Sequence, residues 1–277
     1  MMRGFKRGTL IDILRVKEVK KLIHDNRRVG DRDFLDFRDI TIKTNVVKKA
    51  YGSAYVSIGD TIAIAGVHFD IGTPFADSPD KGILISEGEV LPTASFYVEP
   101  GPPTEEEIEL SRIIDRGIRG SGMIDLSKMV IVPGEKVLKV FIDFNILNDD
   151  GNLVDAASLA AVAALLTSNY PDPDKLLNVE SAEELSTVDR IPLPIEDIPI
   201  TITTAVIDGK YLVDPSLPEE VAADAILSIT HTKNDEICAM QLLNGELDYN
   251  QLFDILDIAL EKSREIRNYV LSHINKR

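Results

Sequence analysis

The segment 153–168 is rich in alanine and apolar almost all the way round a helical wheel, and no other part of the chain constrains the fold as strongly. A helix that lies on a protein surface keeps one polar face, whereas an apolar helix of this kind must be packed on several sides. The chain must therefore supply other elements that surround this helix.

Short segments of alternating apolar and polar residues predict the surrounding strands. In the first part of the chain these are 40–46, 53–58 and 61–69, a strand pair across 82–98, and 137–147 after a hairpin at Pro133-Gly134. In the last part they are 200–207, 226–232 and 236–243. Gly59-Asp60 and Asp208-Gly209 stand between strands and are typical of tight hairpins.

Helical periodicity predicts three further helices, at 12–26, from Thr104 to about Gly120, and at 249–274. Thr104 and Glu107 have the spacing of a capping box at the start of the second of these. The proline-dotted segment 169–195 is interpreted as a connection. The order of elements predicts an α/β fold of the α+β kind, with helices packed on mixed sheets. We expect two related strand-rich halves, residues 1–184 with the N-terminal helix and residues 185–277, joined in one compact unit.

Composition limits the functions that this chain can have. Its one cysteine, Cys238, excludes an internal disulfide and suits a reducing cytoplasm, and its place in an alternating stretch favours a buried strand cysteine. No apolar run approaches the ~20 residues of a membrane span, and residues 1–9 lack the features of a secretory signal.

The net charge is −16, although residues 1–50 carry +7 and the remainder −23. Only local patches could therefore contact nucleic acid, and the acidic remainder suits either a basic partner or solubility alone.

Three arginines in the second helix are a candidate RNA-contact site. Arg112, Arg116 and Arg119 are spaced i, i+4 and i+7, so their guanidinium groups share one helical face. Such a row can follow the phosphates of a single strand. The alternative is a solvated face in which Arg112 and Arg116 pair with Asp115 or Glu109.

The loop from Asn148 to Asp155 joins a strand to the apolar helix. Free backbone N–H groups at a junction of this kind can bind phosphate. Its charged side chains are the carboxylates of Asp149, Asp150 and Asp155, which would repel an anion. A plain helix cap is one interpretation, and a metal site is another, although the later ligands of a calcium loop are absent.

A second group of carboxylates follows the Asp208-Gly209 hairpin, namely Asp208, Asp214, Glu219, Glu220 and Asp224. Paired carboxylates can hold Mg²⁺ or transfer protons, but a chain with 46 acidic residues produces such groups by chance. The four histidines share no metal-ligand spacing.

Several motifs together resemble the ribonuclease PH superfamily. They are Arg28-Val29-Gly30-Asp31-Arg32 with Asp36-Phe37-Arg38, Gly52-Ser53-Ala54 leading to Ile58-Gly59-Asp60-Thr61, and the arginine helix from Ser111 to Arg119. The match covers nearly the whole chain in order. The loop from Asn148 to Asp155 and the long N-terminal helix are typical of the non-catalytic ribonuclease PH-like subunits of the archaeal exosome core.

This resemblance implies that the chain has lost the phosphate site of active members, which use a Gly-Gly-Thr-Arg-Thr or Gly-Ser type of loop. The degenerate loop here consists of Gly151, Asn152, Leu153, Val154 and Asp155, with Val154 at the arginine position and Asp155 at a hydroxyl position. The aspartate pair of active members falls near Glu220 and Asp224, in altered spacing. The resemblance therefore implies no catalytic residue, no cofactor and no metal in this chain.

The same resemblance implies the partners. We expect a ring of three heterodimers with a catalytic ribonuclease PH-like subunit, RNA-binding cap subunits on the ring, and single-stranded RNA held by Arg112, Arg116 and Arg119. The expected role is 3′-to-5′ phosphorolytic RNA degradation by the partner. Two alternatives remain open at this point, a self-sufficient phosphorolytic exoribonuclease and a Mg²⁺-dependent hydrolase that uses Asp208, Asp214 and Asp224.

Overall fold

A computed structural model describes residues 10–95, 98–179 and 182–274, and the side chains of residues 10–13 and 182 lie outside that description. The helices are α1 Leu10–His24, α2 Glu105–Ser121, α3 Leu153–Leu166, α4 Ala182–Thr187, α5 Leu217–Ala222 and α6 Tyr249–Ile274. The strands are β1 Ile40–Thr44, β2 Gly52–Ile58, β3 Thr61–Gly72, β4 Ile83–Val90, β5 Val130–Val132, β6 Lys136–Asn148, β7 Asn169–Pro171, β8 Arg190–Pro192, β9 Ile200–Ile207, β10 Lys210–Val213, β11 Ala225–His231 and β12 Ile237–Gly245.

Two larger sheets enclose α3, as its apolar sequence requires. One sheet has the order β1-β2-β3-β6-β4, with β5 also paired to β6, and the other has the order β10-β9-β11-β12. Helix α3 packs against β2, β3 and β6 on one side and against β9 on the other. Residues 154–165 are all buried, which confirms the prediction of a helix packed on several sides. Helix α6 covers the opposite face of the smaller sheet at β9 and β11.

The hairpins predicted at Gly59-Asp60 and Asp208-Gly209 and the capping box predicted at Thr104 are confirmed. Ile58 pairs with Thr61 across Gly59-Asp60, and Ile207 pairs with Lys210 across Asp208-Gly209. The Thr104 side chain and the Glu107 carboxylate form the capping box of α2. That helix ends at Ser121, about one residue later than predicted, with Gly122 in the left-handed region at φ 65°. The predicted mixed fold is therefore confirmed, while the division at residue 184 stays a prediction.

The strand pair expected across 82–98 is wrong. Among the described residues of that segment only β4 forms, and it runs parallel to β6. After β4 the chain turns, with the Ala94 amide donating to the Leu91 carbonyl oxygen, and Pro92 has no N–H to continue a ladder. Residues 96 and 97 of the expected second strand lie outside the described residues.

The connection at 169–195 contains more structure than its prolines predict. Strands β7 and β8 pair in an antiparallel ribbon, and α4 lies between them. The acidic group predicted at 180–184 lies partly outside the described residues, since 180 and 181 are not described. Among the described helices, none is both long enough and apolar enough to cross a membrane.

Candidate functional site

The loop between β6 and α3 is held rigidly by its neighbours. Gly151 has φ 90°, and a Cβ atom there would lie 2.4 Å from the Leu217 amide nitrogen of α5. The Thr61 hydroxyl donates to the Gly151 carbonyl oxygen at 2.6 Å. Asn152 is also left-handed, with φ 56°. The backbone at the start of α3 is therefore clamped between β3 and α5.

A carboxylate of the chain itself lies at the N-terminus of α3. The Asn152 amide N–H donates to Oε1 of Glu220 at 2.7 Å. The positive end of a helix dipole and its free N–H groups attract anions, and Glu220 occupies that position. The sequence places Glu220 68 residues away from Asn152, so no local pattern could have identified this contact.

Asp155, the residue at the expected hydroxyl position, is buried within the fold instead of facing a ligand. Its carboxylate accepts hydrogen bonds from the Thr203 amide at 3.0 Å, from the Thr203 hydroxyl at 2.7 Å and from the Asn152 side chain at 2.9 Å. Burial raises the pKa of Asp155 to about 7, although these hydrogen bonds oppose the shift. Asp155 thus ties α3 to β9 of the second sheet.

Arg28, Arg32 and Arg38 form an arginine cluster beside the loop. The loop sequence alone did not reveal this cluster. Arg38 donates from Nη1 to the Asp150 carbonyl oxygen at 2.8 Å and from Nη2 to Oδ1 of Asp214 at 2.7 Å. The sequence signal for this cluster is the arginine-rich segment 28–38, which is part of the family motif. Cations are therefore absent from the loop itself but present in the space around it.

Carboxylates of the second half already neutralise this arginine cluster. Arg28 is fully buried and donates from Nε and Nη2 to the two oxygens of Glu219, at 2.9 and 3.0 Å. Arg32 donates from Nη1 to Oδ2 of Asp214 at 2.9 Å. Burial alone would raise the pKa of Asp214, but the hydrogen bonds and charges of Arg38 and Arg32 outweigh it and hold this pKa below its ordinary value. The cluster joins the N-terminal segment to the β10–α5 region.

The remaining carboxylates of the group after the hairpin do not converge on a metal position. Asp208 and Asp224 both bind the Lys20 ammonium of α1, at 3.0 and 2.9 Å. Across residues 10–95, 98–179 and 182–274, no group of three or more His, Cys, Asp or Glu side chains is arranged to hold a metal ion. His231 is buried, and burial lowers its pKa.

The three arginines of α2 are exposed on one face of the helix, as their spacing predicts. Asp115 pairs with Arg119 at 2.7 Å, and no ion pair joins Arg112 or Arg116 to Asp115 or Glu109, which was the alternative interpretation. Arg116 donates from Nη2 to Oε1 of Gln241 on β12 at 2.8 Å. The Arg112 guanidinium forms no hydrogen bond or ion pair with any described residue. Its guanidinium is the most available of the three to an external anion.

Cys238 lies on strand β12, as predicted, but it is half-buried and therefore less buried than predicted. Its Sγ lies 3.6 Å from the Gly117 carbonyl oxygen. Burial raises the pKa of its thiol to about 11, so the thiolate form is scarce at neutral pH. A nucleophilic role is therefore disfavoured.

This two-sheet fold with a central helix belongs to a known family. Residues 36–171 match domain 1 of the 3′ exoribonuclease family, and residues 197–262 match domain 2 of the same family. The chain therefore belongs to this family, the ribonuclease PH family, and the predicted resemblance is confirmed.

Relatives and solved structures cover nearly the whole chain. The exosome complex component Rrp42 of Archaeoglobus fulgidus is 44% identical over 259 residues, which are 93% of this chain and 96% of the relative. The Rrp42 of Methanosarcina acetivorans is 42% identical over 98% of each chain. A chain of the Archaeoglobus fulgidus exosome with RNA bound to the active site superposes with a TM-score of 0.87 at 41% identity, covering 94% of this chain and 99% of that one. A chain of an archaeal exosome core gives a TM-score of 0.82 at 38% identity, over 94% and 98%.

Proposed function

We propose that this chain is a non-catalytic, RNA-binding subunit of an exosome ring of the archaeal type. In this ring it alternates with a catalytic ribonuclease PH-like subunit, carries RNA-binding cap subunits and supports 3′-to-5′ phosphorolysis by its partner. The full-length similarity to exosome components named Rrp42 supports the assembly part of the proposal. The single cysteine suits a cytoplasmic location for that work.

The contact between Glu220 and the start of α3 supports the proposal that this chain is non-catalytic. Phosphorolysis needs a phosphate ion next to the scissile bond, and a helix N-terminus is the natural place to hold it. Here Glu220 already accepts from the Asn152 N–H, and Asp150 and Asp214 surround the nearby guanidinium of Arg38. A phosphate entering this region would meet carboxylates that are close enough to repel it by several kcal/mol.

The exposed row Arg112, Arg116 and Arg119 supports the RNA-binding part. Arg119 is constrained by Asp115 and by the Leu84 carbonyl oxygen at 2.8 Å, so its side chain is positioned before RNA arrives. Arg112 and Arg116 have no carboxylate partner among the described residues. Contacts with phosphates carry no base identity, which suits degradation that does not depend on sequence.

The test of RNA binding uses the assembled ring. Arg112→Glu with Arg116→Glu should weaken binding of single-stranded RNA and make log K less dependent on log salt, with a slope lower by about 0.7 for each phosphate that is no longer neutralised. Lys17→Glu with Lys21→Glu is the matched control, because it makes the same charge change at the same helical spacing on exposed positions of α1. Equal effects of the two double variants would contradict a specific role for the arginine row.

The test of catalysis uses the purified chain alone. Incubated with single-stranded RNA and inorganic phosphate, it should release no nucleoside diphosphates. Release of diphosphates would instead establish the self-sufficient exoribonuclease. The Mg²⁺-dependent hydrolase is the weaker alternative because Asp208 and Asp224 bind Lys20 and Asp214 binds arginines. EDTA-sensitive hydrolysis by the purified chain would revive it.

A further inference from the structure

Gln241 joins the middle of β12 to the helix that carries the arginine row of Arg112, Arg116 and Arg119. Its side chain is half-buried where α2 packs on β12. The carboxamide Oε1 accepts a hydrogen bond from Nη2 of Arg116 at 2.8 Å. The carboxamide Nε2 donates to Oε1 of Glu109, also on α2, at 3.4 Å. One neutral group of the sheet therefore contacts both a cation and an anion of the helix.

The chemistry of these two partners fixes the orientation of the Gln241 carboxamide. A guanidinium only donates hydrogen bonds, and an ionised carboxylate only accepts them. The oxygen must therefore face Arg116 and the NH₂ group must face Glu109, because the reversed amide would place donor against donor and acceptor against acceptor. The same NH₂ group also donates to the Leu242 carbonyl oxygen at 3.2 Å, which favours the same orientation.

Gln241 restrains Arg116 without neutralising its charge. The neighbouring Arg119 is held by a carboxylate, that of Asp115, at 2.7 Å. A phosphate that approaches Arg119 therefore competes with a charge of the chain itself. Arg116 is held at a similar distance by an uncharged oxygen. Arg116 thus combines a restrained position with a charge that remains available to an anion.

The same carboxamide separates Arg116 from Glu109. The two residues are seven positions apart, so they lie on the same face of α2 about two turns from each other. Both contact Gln241, and no ion pair joins them directly. A carboxylate in place of the amide would give Arg116 a charged partner. An apolar side chain there would remove the group that stands between the two charges.

We infer that Gln241 is a positioning residue for RNA binding, which holds the Arg116 guanidinium ready for a phosphate of the strand and keeps it from pairing with Glu109. This inference rests on the proposed function. A guanidinium has five N–H donors, and the contact with Gln241 uses one of them. The other donors can form the paired hydrogen bonds to phosphate oxygens that arginine favours. A side chain that is already held also loses less freedom when RNA binds.

The first test places a carboxylate beside Arg116 in the ring assembled with the catalytic subunit. Gln241→Glu should weaken binding of single-stranded RNA and make the slope of log K against log salt shallower by about 0.7, because a neutralised Arg116 no longer replaces a counterion on one phosphate. Gln251→Glu is the matched control. It makes the same change at the third residue of α6, where Oε1 of Gln251 accepts from the Asp248 amide at 3.0 Å and a glutamate keeps that contact. Equal changes in the two variants would overturn the inference.

The second test distinguishes the positioning of Arg116 from the packing of α2 on β12. Gln241→Met keeps the length of the side chain and removes the amide. It should weaken RNA binding by roughly two- to tenfold, the factor expected when a long side chain is no longer held before binding. In a ring that also carries Arg116→Met, the same substitution should change binding by no more than about twofold, because no guanidinium is left to hold. An equal loss in both backgrounds would show that Gln241 acts through the fold alone.

The results separate this inference from the proposed function. If Arg112→Glu with Arg116→Glu leaves RNA binding by the ring unchanged, the proposed function fails at the arginine row. If that double variant binds weakly while both Gln241 variants bind as well as the wild type, only the inference fails. The mass and the melting temperature of each assembled ring complete the test. A Gln241 variant that loses affinity only because the ring dissociates or melts at a much lower temperature would also contradict the inference.

Discussion

The buried carboxylate of Asp214 gives the sharpest test of the claim that the arginine cluster is structural. Its Oδ2 accepts hydrogen bonds from the Arg38 amide, Nε of Arg38 and Nη1 of Arg32, each at 2.9 Å. Its Oδ1 accepts from Nη2 of Arg38 at 2.7 Å and from Asn152 at 2.8 Å. Asp214→Asn removes the charge and turns an NH₂ group toward at least two of these donors, whichever way the amide is oriented.

The expected loss of stability is large. Removing one partner of a buried ion pair costs about 3–5 kcal/mol, because the remaining charge stays buried. For a chain of this size that corresponds to a fall in melting temperature of roughly 10 °C, at about 2–4 °C per kcal/mol. Differential scanning calorimetry at neutral pH measures it directly.

The matched control is Asp208→Asn, the same substitution at a carboxylate that pairs with Lys20 at 3.0 Å and is 49% exposed. An exposed pair contributes about 1 kcal/mol or less, so its melting temperature should fall by only a few degrees. Equal effects of the two substitutions would refute the view that the arginine cluster holds the two halves together.

Three further predictions address the loop at the start of α3. The contribution of Asp155 to stability should fall as pH rises from about 4 to about 7, because Asp155 keeps its proton in the folded state, with a pKa of about 7, after the unfolded chain has lost it. Asp155→Asn should remove this component, which is at most about 4 kcal/mol, and urea titrations of both proteins at pH 5 and pH 8 measure the difference. Glu220→Gln should destabilise the fold by about 1 kcal/mol at low salt and by less at high salt, because it removes a charge at the helix dipole; an effect independent of salt would contradict this reasoning. Gly151→Ala should lower the melting temperature by several degrees, because a Cβ there would lie 2.4 Å from the Leu217 amide nitrogen at φ 90°; an unchanged melting temperature would show that the loop can move.

Much of the fold follows from local patterns in the sequence. The apolar segment 153–168 predicted a helix packed on several sides, and α3 lies between two sheets. The Thr104–Glu107 capping box and the two hairpin pairs were predicted because each depends on residues a few positions apart. The parallel pairing of β4 with β6 was not predicted, because periodicity identifies a strand but says nothing about its neighbours.

Some features of the candidate site also follow from local sequence patterns, and others are visible only in the tertiary structure. The exposure of Arg112, Arg116 and Arg119 follows from helical spacing, and the sequence also placed three carboxylates around the start of α3. The sequence did not reveal that Arg28 pairs with Glu219 across 191 positions, or that Glu220 lies at the N-terminus of α3. Helical and strand periods determine which face of an element is apolar or charged. Only the tertiary structure brings distant carboxylates onto buried arginines, because charges removed from water are stable only where packing supplies a partner.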